Sequence, residues 1–349
     1  MHHTNLSKRL HSWRLQHISE QSYLLLLSIV VGVFSGLAAV ALKTVVHFSG
    51  QLVMDFGNSH FTLNGGNTLM FVAPLIGVLL TIVFVRFIIK GNIGHGIPSV
   101  LLSISRHKGE LPPRNMYASL VASTLTVAFG GSVGLEAPIA STGSAIGSNI
   151  GRFLRVSPRG VKLLLGCGAA GAVAGIFKAP LAGVLFTLEI LLFNISMSSI
   201  LPLLLSTVSA TVISYIVYGN EPVFTSSLAP FAMINIPFYF LLGLFCAMVS
   251  VYFPRMTLML EDRIKKMKNA WIRWIVSAFC LGVLLLIFPP LFGEGYGSIN
   301  ILLSGETPSY EGIEALDGLI RALTKAGKKA KVTSAYGDYR KVITAKKKR

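Results

Sequence analysis

The chain has 349 residues, 52% of them hydrophobic and 13% charged, with 31 Lys and Arg against 14 Asp and Glu and a formal net charge of +17. A soluble domain carries about 25% charged residues, and the mean hydropathy here is +0.66, so the composition excludes an ordinary soluble globule and points to an integral, multi-pass membrane protein. Basic charge in such a protein belongs mostly to cytoplasmic loops, so the excess of Lys and Arg is no argument for a nucleic-acid partner.

Residues 1–21 carry Lys8, Arg9 and Arg14 and read as a cytoplasmic N-terminal segment. The apolar run from about Ser22 is too long and too glycine-rich for a cleaved signal peptide and predicts a helix over 22–47. Further helices are expected over 68–90, 115–130, 136–152, 160–177, 179–192, 197–218, 234–255 and 271–292. The three between 136 and 192 are short or glycine-broken and need not cross the bilayer alone. Loop charge gives a consistent alternation. Residues 48–67 have no Lys or Arg and read as outside; Arg86, Lys90, Arg106, Lys108 and Arg114 read as inside. Arg152, Arg155, Arg159 and Lys162 mark a second inside turn, 219–233 is outside, and Arg255, Arg263, Lys265, Lys266, Lys268 and Arg273 mark a third inside loop. The expected location is a plasma (inner) membrane.

Carried forward, the alternation puts Gly293 onward outside and leaves the basic tail on the wrong face. Residues 301–349 carry 11 Lys and Arg against 5 Asp and Glu and contain no run long enough to span. Leu316, Leu319, Ile320 and Leu323 fit one face of an amphipathic helix that would bind a membrane surface. A solvated or disordered terminus is the preferred reading.

Two stretches break the apolar pattern. In "GNIGHGIPSV", Gly94, Gly96 and Pro98 open a short helix; in "GGSVGLEAP", Gly130, Gly131, Gly134 and Pro138 open another. Helix N-termini offer free N–H groups and the positive end of the macrodipole, so two such ends inside a membrane suit an anion. Glu136 stands beside those N–H groups. Its carboxylate is read as occupying the anion site and acting as a gate, against the plainer reading of a capping Glu paired with a Lys. His95 reads either as an anion donor or as a cap facing water. Gly143, Gly147 and Gly151, then Gly168, Gly171 and Gly175, read as close helix packing. Lys178 reads as a snorkelling side chain, and Glu189 either as a proton entry or as a residue reaching the interface. Cys167, Cys246 and Cys280 read as small packing residues. No metal site, cofactor motif, P-loop or hydrolytic constellation is visible, so no enzyme activity is expected.

These segments carry a resemblance. "GHGIPS" resembles the GSGIP motif of the ClC chloride channels and proton/chloride exchangers, "GLEAP" their GxEGP motif, and "AAGAVAGIFKAPLAGVLFTLEI" their AAGxxAxFxAPLxGxLFxxEE stretch. The order matches, and the similarity covers about residues 20–300. It implies an all-α membrane protein, a ClC-like inverted-repeat helical bundle with short broken helices and an incomplete second repeat. The organisation expected is 1–21 cytoplasmic, 22–300 transmembrane and 301–349 a basic non-family tail. It also implies chloride or a similar anion as the transported partner, membrane lipid around it, a homodimer, voltage-gated-type channel or transporter activity, and no cofactor. Glu136 matches the external gate, and Gly94, His95, Gly96, Ile97, Pro98, Gly134, Leu135 and Ala137 the anion path. Four departures stand out. His95 replaces the motif serine, and Ala137 replaces the last glycine of GxEGP. Glu189 and Ile190 align with the paired glutamates, so the internal proton glutamate is missing and passive conduction is favoured over proton coupling. The GxFxP motif and the pore tyrosine of the second repeat are not recognisable, and the resemblance stops after "FGEGYGSINILLSG". The alternatives are therefore a transport-inactive, truncated fragment or dimerising piece, and below that a proton-coupled chloride or a fluoride antiporter.

Overall fold

The computed structural model describes residues 19–60, 62–63, 66–67, 69–89, 96–190, 197–220, 223–224 and 232–303. It is a bundle of helices. α1 runs Glu20–His60, then a two-residue strand pair, Thr62–Leu63 with Gly66–Asn67, precedes α2, Leu69–Val83, whose end continues as a π-helical turn Phe84–Ile89. There follow α3 Gly96–Arg106, α4 Asn115–Ala128, α5 Glu136–Phe153, α6 Pro158–Phe177, α7 Pro180–Ile190 and α8 Met197–Tyr218. A 3-10 turn leads into α9, Ile236–Lys265; α10 is Ala270–Ile287 and α11 is Tyr296–Leu303. Among the described residues, five helices are long and apolar enough to cross a membrane. The basic segment 1–18 and the tail 304–349, with its expected amphipathic face, lie outside the described residues.

Several boundaries differ from the sequence reading for identifiable reasons. α1 does not stop near 47: no proline follows, and the helix continues to His60, making it about 60 Å long at the usual helical rise. α9 continues past 255 to Lys265, so Arg255, Arg263 and Lys265 sit on a helix and not in a loop. Its last turns are good helix formers, and Glu261 and Lys265 pair at 2.6 Å one turn apart. α10 ends at Ile287, short of 292, because Phe288 precedes Pro289 and the residue before a proline avoids the helical region. α6 is a full 20-residue helix despite its glycines. It is capped at its start by Ser157, whose hydroxyl accepts from Gly160 N at 3.3 Å, and Pro158 opens its first turn.

The core lies around α6. The apolar window of α6 is 83% buried, against 0% for that of α9, and among the described residues the most extensive helix interface is α5 against α6. Small residues make that interface possible. A methyl added at Gly143 would overlap the carbonyl of Gly168, one at Gly168 would overlap that of Gly143, and one at Gly147 would overlap that of Leu164. The two backbones therefore touch, which is how helices gain contact area where no hydrophobic driving force separates lipid from side chain. The same device joins α1 to α8 at Gly32 and Gly36, against Ser206 and Ala210. Cys167 is buried in this core as expected, but Cys246 on α9 and Cys280 on α10 are exposed. Lys178 does not snorkel freely. It ends α6 in the left-handed conformation (φ 54°) and donates from Nζ to the Gly219 carbonyl at 2.8 Å, capping the end of α8.

Candidate functional site

α4 ends in a Schellman turn: Gly131 N donates to Thr126 O at 2.8 Å and Gly130 N to Val127 O at 2.9 Å, with Gly130 at φ +88°. The chain then turns through Gly131–Leu135 into α5, whose first helical residue is Glu136. Its N-cap, Leu135, is buried and supplies no side-chain cap. The amides of this first turn have no intrahelical acceptor, and Pro138 brings none of its own.

Glu136 does not extend away from this turn. Its carboxylate folds back over Gly134, where an added methyl would overlap Oε2. Gly134 thus serves as a seat that only a residue without a side chain leaves open. The start of α3 adjoins it. A methyl at Gly96 (φ +48°) would lie 3.6 Å from the Cβ of Ala137. The two glycine-opened helix starts, at Gly96–Ile97–Pro98 and Gly134–Leu135–Glu136–Ala137, are therefore neighbours, 40 residues apart in sequence between Gly96 and Glu136. Gly94 and His95 lie outside the described residues. Glu189 is exposed on α7 and is not brought to this site; Ile190 follows it as the last residue of that helix.

One partner of Glu136 was not foreseen from the sequence. The Tyr296 hydroxyl, at the first residue of α11, donates to Glu136 Oε1. The segment "FGEGY" delivers it. Gly293 and Gly295 both take positive φ, 75° and 77°, bending the chain on either side of Glu294. The ring of Phe292 lies where a side chain at Gly130 would be, so this turn is docked on the loop that leads into Glu136. The signal was present: glycines flanking Glu294 repeat the pattern that marks Glu136. Burial pushes the Glu294 carboxyl above the ordinary carboxylate range and nearby Glu136 pushes it further, while Lys43 opposes both.

Two cations lie near the turn that carries Glu294. Lys43 on α1 lies 5.3 Å from the centre of the Tyr218 ring, and Lys178 lies 5.3 Å from that of Tyr215. Tyr218 in turn ties α8 to α1, its hydroxyl lying 2.5 Å from Thr44 Oγ1. On the far side of α5, Ser148 holds the 109–111 loop by accepting from Leu111 N at 3.0 Å and donating to Gly109 O at 2.6 Å, and Arg152 pairs with Glu110 at 3.5 Å. Among the described residues, no group of three His, Cys, Asp or Glu is placed to hold a metal. The site is built of backbone amides, a carboxylate and a phenol.

Comparison with known proteins agrees with this architecture. Residues 76–325 match the family model described as voltage gated chloride channel. The chain is 28% identical over 307 residues to the chloride channel protein CLC-e of Arabidopsis thaliana, covering 82% of this chain and 42% of that protein. It is 26% identical over 294 residues to the H(+)/Cl(-) exchange transporter ClcA of Vibrio cholerae, covering 80% and 62%. It thus spans roughly half the length of such relatives. In fold it is similar to a slow cyanobacterial Cl−/H+ antiporter, with a TM-score of 0.70 at 22% identity over 84% of this chain and 71% of that one. It is similarly close to a CLC-type fluoride/proton antiporter, with a TM-score of 0.69 at 24% identity over 85% and 75%.

Proposed function

The chain belongs to the voltage gated chloride channel family, and from that premise we propose that it moves chloride or a similar small anion across a membrane, with Glu136 as the external gate. The observation that carries this reading is the folded-back carboxylate. It sits over Gly134 at the start of α5, on the turn whose free amides and dipole favour negative charge. A carboxylate there holds the place an anion would take, and its protonation or displacement vacates that place. The anion path is assigned to the adjoining starts of α3 and α5: Gly96, Ile97, Pro98, Gly134, Leu135 and Ala137, with Gly94 and His95 completing the first of them. The N-terminus is assigned to the cytoplasm, the location to a plasma (inner) membrane, and the working form to a homodimer. Passive conduction is preferred to proton coupling because Ile190 stands where a second glutamate would follow Glu189.

The test is anion efflux from liposomes that contain the full chain. Glu136→Gln and Glu136→Ala each raise efflux about tenfold at neutral pH, as expected for releasing a carboxylate held by charge-assisted hydrogen bonds, and both flatten its pH dependence. A conducting protein in which both variants behave as the parent removes the gate assignment. Proton uptake measured alongside, and fluoride substituted for chloride, separate the coupled and fluoride readings. A second reading, a piece without transport of its own, is favoured by one observation: α9 buries none of its residues. Efflux from the unmodified chain above that of empty liposomes excludes it.

A further inference from the structure

We infer that Tyr296 is a positioning residue for the gate: its hydroxyl latches the Glu136 carboxylate onto the start of α5, and breaking that one hydrogen bond is the step that frees the anion site. The inference rests on the reading of Glu136 as the gate.

The geometry is that of a latch because Tyr296 is itself held on several sides. Its ring meets Phe177, the last residue of α6, edge-on at 6.0 Å, and Phe224 edge-on at 5.7 Å. Those two rings stack on each other at 6.2 Å. One turn along α11, Asn300 donates from Nδ2 to the Val223 carbonyl at 3.2 Å, tying the helix to the segment that carries Phe224. Behind it, the Gly293–Gly295 turn is docked through Phe292 on Gly130. Rings in edge-to-face contact have little freedom to swing, so the hydroxyl is presented at a fixed point. Glu136 is therefore the mobile partner. It is the end of a flexible side chain, seated where Gly134 leaves room.

The chemistry gives the latch a direction. A phenol donates its proton and favours an ionised acceptor over a neutral one, so it holds the carboxylate form in the seat. Burial and the pairing with Glu136 both push the phenol upward from its ordinary value, so it stays a neutral donor across the physiological range. The other charged groups near the pair are Glu294 from the preceding turn, Lys43 from α1, which acts on Glu294, and beyond it Lys178 from the end of α6, which lies against the rings of Tyr215 and Tyr218 on α8. The phenol of Tyr296 is bonded to the Glu136 carboxylate.

The experiment compares Tyr296→Phe, Glu136→Ala and the double variant in liposome efflux across pH. Tyr296→Phe keeps the ring contacts and removes the hydroxyl alone. It changes the efflux–pH curve and raises efflux at neutral pH about tenfold, the size expected for losing one hydrogen bond to a charged group, and adds nothing in the Glu136→Ala background. If Glu136→Ala opens the path while Tyr296→Phe leaves the curve in place, the latch is wrong and the gate stands. If Glu136→Ala changes nothing in a conducting protein, the gate itself is wrong. A readout independent of flux covers a non-conducting chain: 3-fluorotyrosine placed at 296, followed by its 19F resonance. Its shift changes with pH and on Glu136→Gln; a resonance indifferent to both overturns the contact.

Discussion

α6 and α9 are both long, apolar helices suited to a membrane, yet one is 83% buried and the other 0%. Hydropathy does not distinguish them; residue size does. From Gly166 to Gly175, α6 reads GCGAAGAVAG, and its backbone is met by those of neighbouring helices. α9 begins IPFYFLLGLF and presents Phe238, Phe240 and Phe245 outward, with 68%, 77% and 60% exposure. In lipid, close packing is driven by shape and contact, so small residues mark helix-facing surfaces and large ones mark the surfaces left to lipid or to another protein surface.

The sharpest way to break that contrast is Gly143→Leu. The added side chain would enter the space of the Gly168 carbonyl, where backbone and not a flexible side chain must give way. A loss on the order of 4 kcal/mol is expected, read as loss of monodisperse protein or a collapse of the thermal transition in detergent. Next comes Ser157→Ala, which removes the cap of α6 and should cost about 1 kcal/mol by the same measurement. The smallest effect is expected at Gly243 on α9, where a side chain would meet nothing within 4 Å. Gly243→Leu should change stability by less than about 0.5 kcal/mol. A loss of several kcal/mol there in membranes but not in detergent would show that a second surface covers α9, and would redraw the contrast.

Much of this was legible in the chain itself. The apolar runs located α2, α4, α5, α6, α7, α8 and α10, and the glycine–proline pattern located the starts of α3 and α5 and singled out Glu136. What escaped has a physical explanation. The overrun of α9 to Lys265 depends on good helix formers continuing an apolar helix through residues that the charge pattern had marked as loop, while that of α1 to His60 runs through Gly50 and Gly57 with Leu52, Val53, Met54 and Phe56 between them. Tyr296 escaped because its partner lies 160 residues away. Periodicity reports neighbours along a helix, not a turn folded back onto a distant one. Lys178 was misread for the same reason: the carbonyls it caps belong to α8.

The backbone seam between α5 and α6 limits how a gate at Glu136 can work. Advancing α5 by one residue along its own screw, about 1.5 Å with about 100° of rotation, would carry Thr142 or Ser144 into the place of Gly143, against the Gly168 carbonyl. The helix is thereby held against that motion, and in the proposed function opening is assigned to the carboxylate itself. Such an event belongs to the fast regime of side-chain rotation and not to that of domain movement. It asks for no rearrangement of the bundle, so the protein can be rigid throughout its core and still be switched by a single side chain.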